Sequence, residues 1–128
     1  KFLMITDAKI TCLTLVSIIS ACAHQQVSFR QDVHPVLENH CNDCHAAPDG
    51  YGYTATGLNM DTYDSLMQGT IYGPVIIAGD SRRSILNKLI EGRAGNMQKK
   101  SHDQKGEAIT NSEIGLLKNW VDQGALNN

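Results

Sequence analysis

Apolar and polar positions divide the chain into an apolar start and a series of short helix-forming segments. Ile10 to Ala21 is almost entirely apolar or small and follows a start that carries Lys1, Asp7 and Lys9. A run of about 12 residues has the length of a signal-peptide core and falls short of the ~20 needed to cross a bilayer. From Ser28 the spacing becomes helical. Ser28 reads as an N-cap for Phe29, Val33, Val36 and Leu37. Pro35 splits this segment into a short turn up to about Val33 and a main helix running towards His40. Residues 46–60 show no period and read as loop. Asp61 to Met67 is a short helix with Leu66 and Met67 inward, closed by Gly69. Gly69 to Gly79 is apolar but too broken by Gly and Pro for a strand of any length. Asp80 or Ser81 then caps a helix through Ile90, with Ile85, Leu86, Leu89 and Ile90 as its apolar face and Gly92 as its end. Residues 93–109 are polar loop. Thr110-Asn111-Ser112-Glu113 is a capping box that opens a last helix, with Ile114, Leu117, Trp120 and Val121 inward and Gly124 at its stop. No strand pattern is found, so the expected fold class is all-α.

Composition adds two points. A chain of 128 residues is of one-domain length, and a hydrophobic fraction of 41% with few aromatics makes a small core that a buried apolar ligand would help to fill. The formal net charge of −2, without a basic stripe, argues against a nucleic-acid partner. The apolar start ends in Ile19-Ser20-Ala21-Cys22, which resembles a bacterial lipobox, with Cys22 as the lipidated residue. The expected organisation is a signal peptide or membrane anchor over 1–21, a tether over 22–27 and a folded domain over 28–128. That places the domain on the periplasmic or cell-surface side, held to the membrane through lipidated Cys22 or the N-terminal anchor.

The chemistry concentrates at Cys41-Asn42-Asp43-Cys44-His45, the attachment sequence of c-type haem. On a helix, positions i, i+3 and i+4 share a face. Two thiols on that face can each be joined to a haem vinyl group, and the adjoining imidazole becomes an axial ligand to iron. A zinc site would need a further pair of soft ligands at sensible spacing, and none follows Cys44. A thioredoxin-like pair needs a strand–helix–strand setting, and an iron–sulfur cluster needs four thiolates.

With these elements in order, residues 28–126 resemble the monohaem cytochrome c fold, in particular the planctomycete-type single domain. The matching pieces are Phe29, Asp32 to Leu37, the Cys41–His45 motif, Gly57-Leu58, Gly69 to Gly73, Gly79-Asp80-Ser81, Ser84-Ile85-Leu86 and Asn119 to Ala125. The resemblance implies N- and C-terminal helices crossing over one covalent haem, with long loops. It also implies a second axial ligand from a Met just before the last helix, which here is Met97, followed by Gln98 where the family usually has Pro. His102, in the same loop, is the alternative ligand. Met60 and Met67 are expected to pack against the porphyrin, and Arg82 and Arg83 are candidates to pair with a propionate, against the bland reading of a solvated helix face. Trp120 is expected to anchor helix packing, its N–H within reach of a propionate. Lys99, Lys100 and Lys105 form a positive patch suited to an acidic redox partner.

A six-coordinate haem leaves no position for substrate, and the chain carries no nucleophile–base pair or phosphate loop. The expected function is therefore electron transfer with other redox proteins, by a carrier rather than an enzyme, or by the electron-transfer subunit of a larger complex. The alternative is a five-coordinate haem that binds a small gas or a peroxide.

Overall fold

A computed structural model of the chain describes residues 25–95 and 108–128. Among the described residues it is all-helical, and the one extended pairing is an isolated bridge between Thr70 and Gly73. After an opening π-helical turn (Phe29–Val33) come α1 (His34–His40), α2 (Asn42–His45), α3 (Tyr51–Thr56), α4 (Tyr63–Gln68), α5 (Ile85–Ile90) and α6 (Asn111–Asp122).

The first helical stretch forms as the sequence dictates. The Ser28 hydroxyl accepts from the Gln31 N–H, and Asp32 reaches back to accept from the Ser28 N–H, so two donors at the start of the turn are satisfied. Pro35 lies in the first turn of α1, where its missing N–H costs nothing. The turn buries Phe29 and Val33, α1 buries Val36 and Leu37, and these meet Leu117, Trp120 and Val121 from α6. Phe29 and Trp120 have ring centroids 5.6 Å apart, and Tyr63 stands edge-on to both, at 5.2 and 6.4 Å. The opening turn is also joined to Asn128 by hydrogen bonds. The Arg30 N–H and Ser28 Oγ–H donate to the Asn128 carbonyl (3.1 and 2.8 Å), and the Phe29 N–H donates to the Asn128 side-chain oxygen at 2.9 Å.

At the start of α6 the Thr110 hydroxyl accepts from the Glu113 N–H while the Glu113 carboxylate accepts from the Thr110 N–H, the reciprocal box that the sequence predicts. At its other end the Val121 carbonyl accepts from Gly79 (2.7 Å) and Gly124 (3.0 Å), and Gly124 turns the chain with φ of +105°. The Gly79 bond ties the apolar 69–79 stretch to α6. Val75 and Ile76 from that stretch enter the core, whereas Ile71 and Tyr72 stay outside.

Two expectations need correction. Residues 46–60 are not all loop, because Tyr51–Thr56 is helical between Gly50 and a left-handed Gly57. This helix buries none of its own residues, so it leaves no apolar period to read. The helix before Glu91 starts at Ile85 with Ser84 as its cap residue, not at Asp80 or Ser81. Residues 80–83 form a turn instead, in which the Asp80 carboxylate accepts from the Arg83 N–H and the Ser84 hydroxyl donates to the Asp80 carbonyl. The inward face also differs from the predicted one. Leu86, Asn87 and Ile90 are buried, and Ile85 is 43% exposed.

Candidate haem-binding site

The Cys41–His45 motif sits where α1 passes into α2. Cys41 departs from helical geometry (φ −124°, ψ −39°), yet its N–H donates to the Leu37 carbonyl at 2.8 Å. Its own carbonyl accepts from Cys44 (3.1 Å) and His45 (2.9 Å), so the hydrogen-bond ladder runs on through the motif. Positions 41, 44 and 45 thus keep the shared face that the spacing predicts. All three side chains are half-buried, and no disulfide joins the two cysteines. Cys41 packs against the core. Burial, with a contribution from the neighbouring Cys44, pushes the Cys41 thiol up to about 12, so it is a thiol and not a thiolate at neutral pH.

His45 is held by the segment that follows α3. Its Nδ1 lies 3.4 Å from the Leu58 carbonyl, and its own carbonyl accepts from the Met60 N–H at 2.8 Å. An Nδ1–H directed at a carbonyl leaves Nε2 with the lone pair, the tautomer a metal needs. Burial lowers the pKa of the ring, opposed by the Leu58 bond, and so favours the neutral form that can ligate.

Two glycines of the α3 segment make this arrangement possible. A Cβ at Gly50 would stand 2.5 Å from the Cys44 carbonyl oxygen and 2.6 Å from that of Ala46. A Cβ at Gly52 would stand 2.5 Å from Cε1, 2.7 Å from Nε2 and 2.8 Å from Nδ1 of His45. The backbone of α3 therefore lies directly on the imidazole, in space that any side chain would fill.

These residues fit a covalently held haem. Two thiols share a helical face with an imidazole whose Nε2 would be the ligating atom, and the bare backbone of Gly52 covers one face of that ring. Among the described residues no set of three or more His, Cys, Asp or Glu side chains is placed to hold a bare metal ion.

The remaining candidates fall as follows. Met97, His102, Lys99, Lys100 and Lys105 lie outside the described residues, as does Cys22. His34 and His40 are engaged elsewhere, with the Asp61 carbonyl at 2.9 Å and Glu113 at 3.3 Å. Met60 is buried, and Met67 packs against the core from its edge. The Trp120 N–H is committed to the Leu126 carbonyl at 3.0 Å, so the indole is a packing anchor whose donor is already used. Arg82 and Arg83 are exposed, and Arg83 lies 3.9 Å from Asp80. The arginine with a structural task is Arg93, which the sequence does not single out. It donates to the Arg82 carbonyl and to Glu91, and so braces the 80–84 turn against the end of α5. Sequence reasoning also missed Gly50 and Gly52. The only available signal was two glycines at i, i+2 soon after the haem motif, which taken alone reads as loop.

In a comparison with protein families, the family model described as PccH Cytochrome c matches residues 28–128. Neither the curated proteins nor the solved structures contain a match to the chain.

Proposed function

From the premise that the chain belongs to the PccH cytochrome c family, we propose that it is a one-electron carrier with a single haem c bonded to Cys41 and Cys44, His45 and Met97 being the axial ligands. The observation that carries this reading is the placement of His45. Its ring is fixed between the Leu58 carbonyl and the backbone of Gly52, and it shares a helical face with both thiols.

Haem held in this site supplies reversible exchange of one electron at iron. The chain's own part is to hold the ligands still and limit the approach of water. The Leu58 carbonyl lies at the edge of the imidazole and the Gly52 backbone lies against it, and the packing of the opening turn against α6 sets the motif beside a packed core. A rigid ligand set suits electron transfer, since little has to rearrange when the charge changes. Met97 is the preferred sixth ligand because a thioether is a good ligand to low-spin iron and raises its potential. His102 is the second choice. The apolar Ile10 to Ala21 run ending at Cys22 supports lipidation at Cys22 and membrane tethering on the periplasmic or cell-surface side.

The test is a potentiometric titration followed by absorption, on wild type and Met97→Ala. The wild type titrates reversibly with a slope of one electron. Met97→Ala lowers the potential and opens the iron to carbon monoxide. An unchanged spectrum in that variant moves the sixth ligand to His102. A wild-type haem that is high-spin and binds carbon monoxide overturns the carrier reading in favour of gas or peroxide chemistry.

A further inference from the structure

We propose that Gly52 is a positioning residue for the iron-ligating imidazole, setting the rotation of the His45 ring by lying flat on its face. The inference rests on the haem reading above.

The argument begins with the distances. A Cβ at Gly52 would be nearly equidistant from Cε1, Nε2 and Nδ1, at 2.5, 2.7 and 2.8 Å. A point beyond the ring edge and in its plane would be much closer to Cε1 than to either nitrogen. Near-equality therefore puts the position over the face of the ring. Backbone covers one face, while the Leu58 carbonyl holds Nδ1 at the ring's edge at 3.4 Å. An edge contact alone lets the ring rock about its hydrogen bond. A face contact alone lets it slide. The two together fix the plane.

Local energetics point the same way. Gly52 lies within α3 without a left-handed backbone, since the positive-φ glycines begin at Gly57. Alanine suits such a position better than glycine does, because glycine loses more backbone entropy on ordering. Gly52 is thus disfavoured by its own helix, and the imaginary Cβ shows what the helix gains in return. At Gly115, in the interior of α6, the same Cβ would meet nothing within 4 Å. The close approach belongs to the site and is not a general property of helical glycines here.

The orientation of an axial imidazole is read directly by the ferric haem. Its electron paramagnetic resonance g-values and the paramagnetic NMR shifts of the haem methyl groups both follow the ligand plane. The experiment compares the holoprotein with Gly52→Ala and with a control in the same helix, Ala55→Gly, which changes helix propensity at an exposed position. The expected result for Gly52→Ala is a rearranged pattern of methyl shifts and a change of at least about three-fold in the electron-exchange equilibrium with a fixed mediator. For one electron that corresponds to about 28 mV, at 59 mV per decade. Ala55→Gly lowers stability and leaves both readouts unmoved. If Gly52→Ala keeps the wild-type methyl pattern and potential, Gly52 does not position the ring and the proposal is overturned. If Gly52→Ala alone fails to take up haem while Ala55→Gly matures normally, crowding of the ring is again the cause, which supports it. Failure of both variants assigns the effect to the helix as a whole and overturns it. A wild-type chain without covalent haem removes the underlying reading before any variant is compared.

Discussion

Replacing Trp120 by Phe tests how the N- and C-terminal elements are held together. Trp120 is completely buried, packs against a tilted Phe29 ring and an edge-on Tyr63 ring, and donates its indole N–H to the Leu126 carbonyl at 3.0 Å. The substitution removes about two ring carbons of buried apolar volume, at about 0.8 kcal/mol each. It also leaves the Leu126 carbonyl without its donor, which adds about 1 kcal/mol. The sum is about 2.5 kcal/mol. For a domain of this size that lowers the unfolding midpoint by about 10–20 °C. Tyr63→Phe is the matched comparison, because it deletes one hydroxyl that donates to the Ala125 carbonyl at 2.8 Å and leaves ring packing in place. It should cost about 1 kcal/mol. Urea unfolding of the holoprotein followed by circular dichroism gives both values. A Trp120→Phe loss no larger than that of Tyr63→Phe would refute the reasoning, since the indole would then not be the anchor of the crossing.

Four further outcomes follow from other parts of the structure. Thr110→Ala removes one half of the capping box on α6 and should cost about 1 kcal/mol of stability, read by chemical denaturation. Gly115→Ala should stabilise by about 0.5–1 kcal/mol in the same assay, because the added methyl meets nothing and the helix gains propensity. Gly50→Ala should destabilise by about 1–3 kcal/mol, since its methyl would press on the carbonyl oxygens of Cys44 and Ala46, which are backbone and cannot swing away. Asp122 provides a pH test. The Ser81 N–H, at 2.9 Å, is the main cause that holds its carboxyl below the ordinary value, with Lys118 assisting. A depressed carboxyl stabilises the fold above the unfolded-state value, and this contribution is lost as the pH falls through the folded-state value. Wild type should therefore exceed Asp122→Asn in stability at neutral pH by a small margin, and urea midpoints should converge in acid. A margin that persists in acid would contradict the assignment.

The parts of the molecule legible in sequence are those whose signals are local. Ser28, Pro35 and the Thr110–Glu113 box each act within one helical turn, and each stands where the spacing places it. The haem motif is local in the same sense, as five residues carry the whole signal. What escaped depends on partners distant in sequence. Helix α3 shows no apolar stripe because its inner surface is backbone laid on His45, so the feature that matters is a missing side chain. Asn87 is buried and Ile85 is 43% exposed, the reverse of the predicted apolar face, because the packing of α5 and not its own period sets which side turns inward. The Asn128 contacts with Ser28, Phe29 and Arg30 join positions about 100 residues apart, and no pattern in either segment announces the other.

The central claim, that Cys41 and Cys44 carry one covalent haem, is tested most directly by intact mass spectrometry of the wild-type chain made in cells that attach c-type haem, under denaturing conditions. The account predicts a mass above that of the mature polypeptide by one haem, with the absorption staying with the protein through unfolding. In a variant with both cysteines changed to Ser the added mass and the absorption should be lost together. A wild-type mass equal to the bare polypeptide, or haem absorption that separates on unfolding, would contradict the claim.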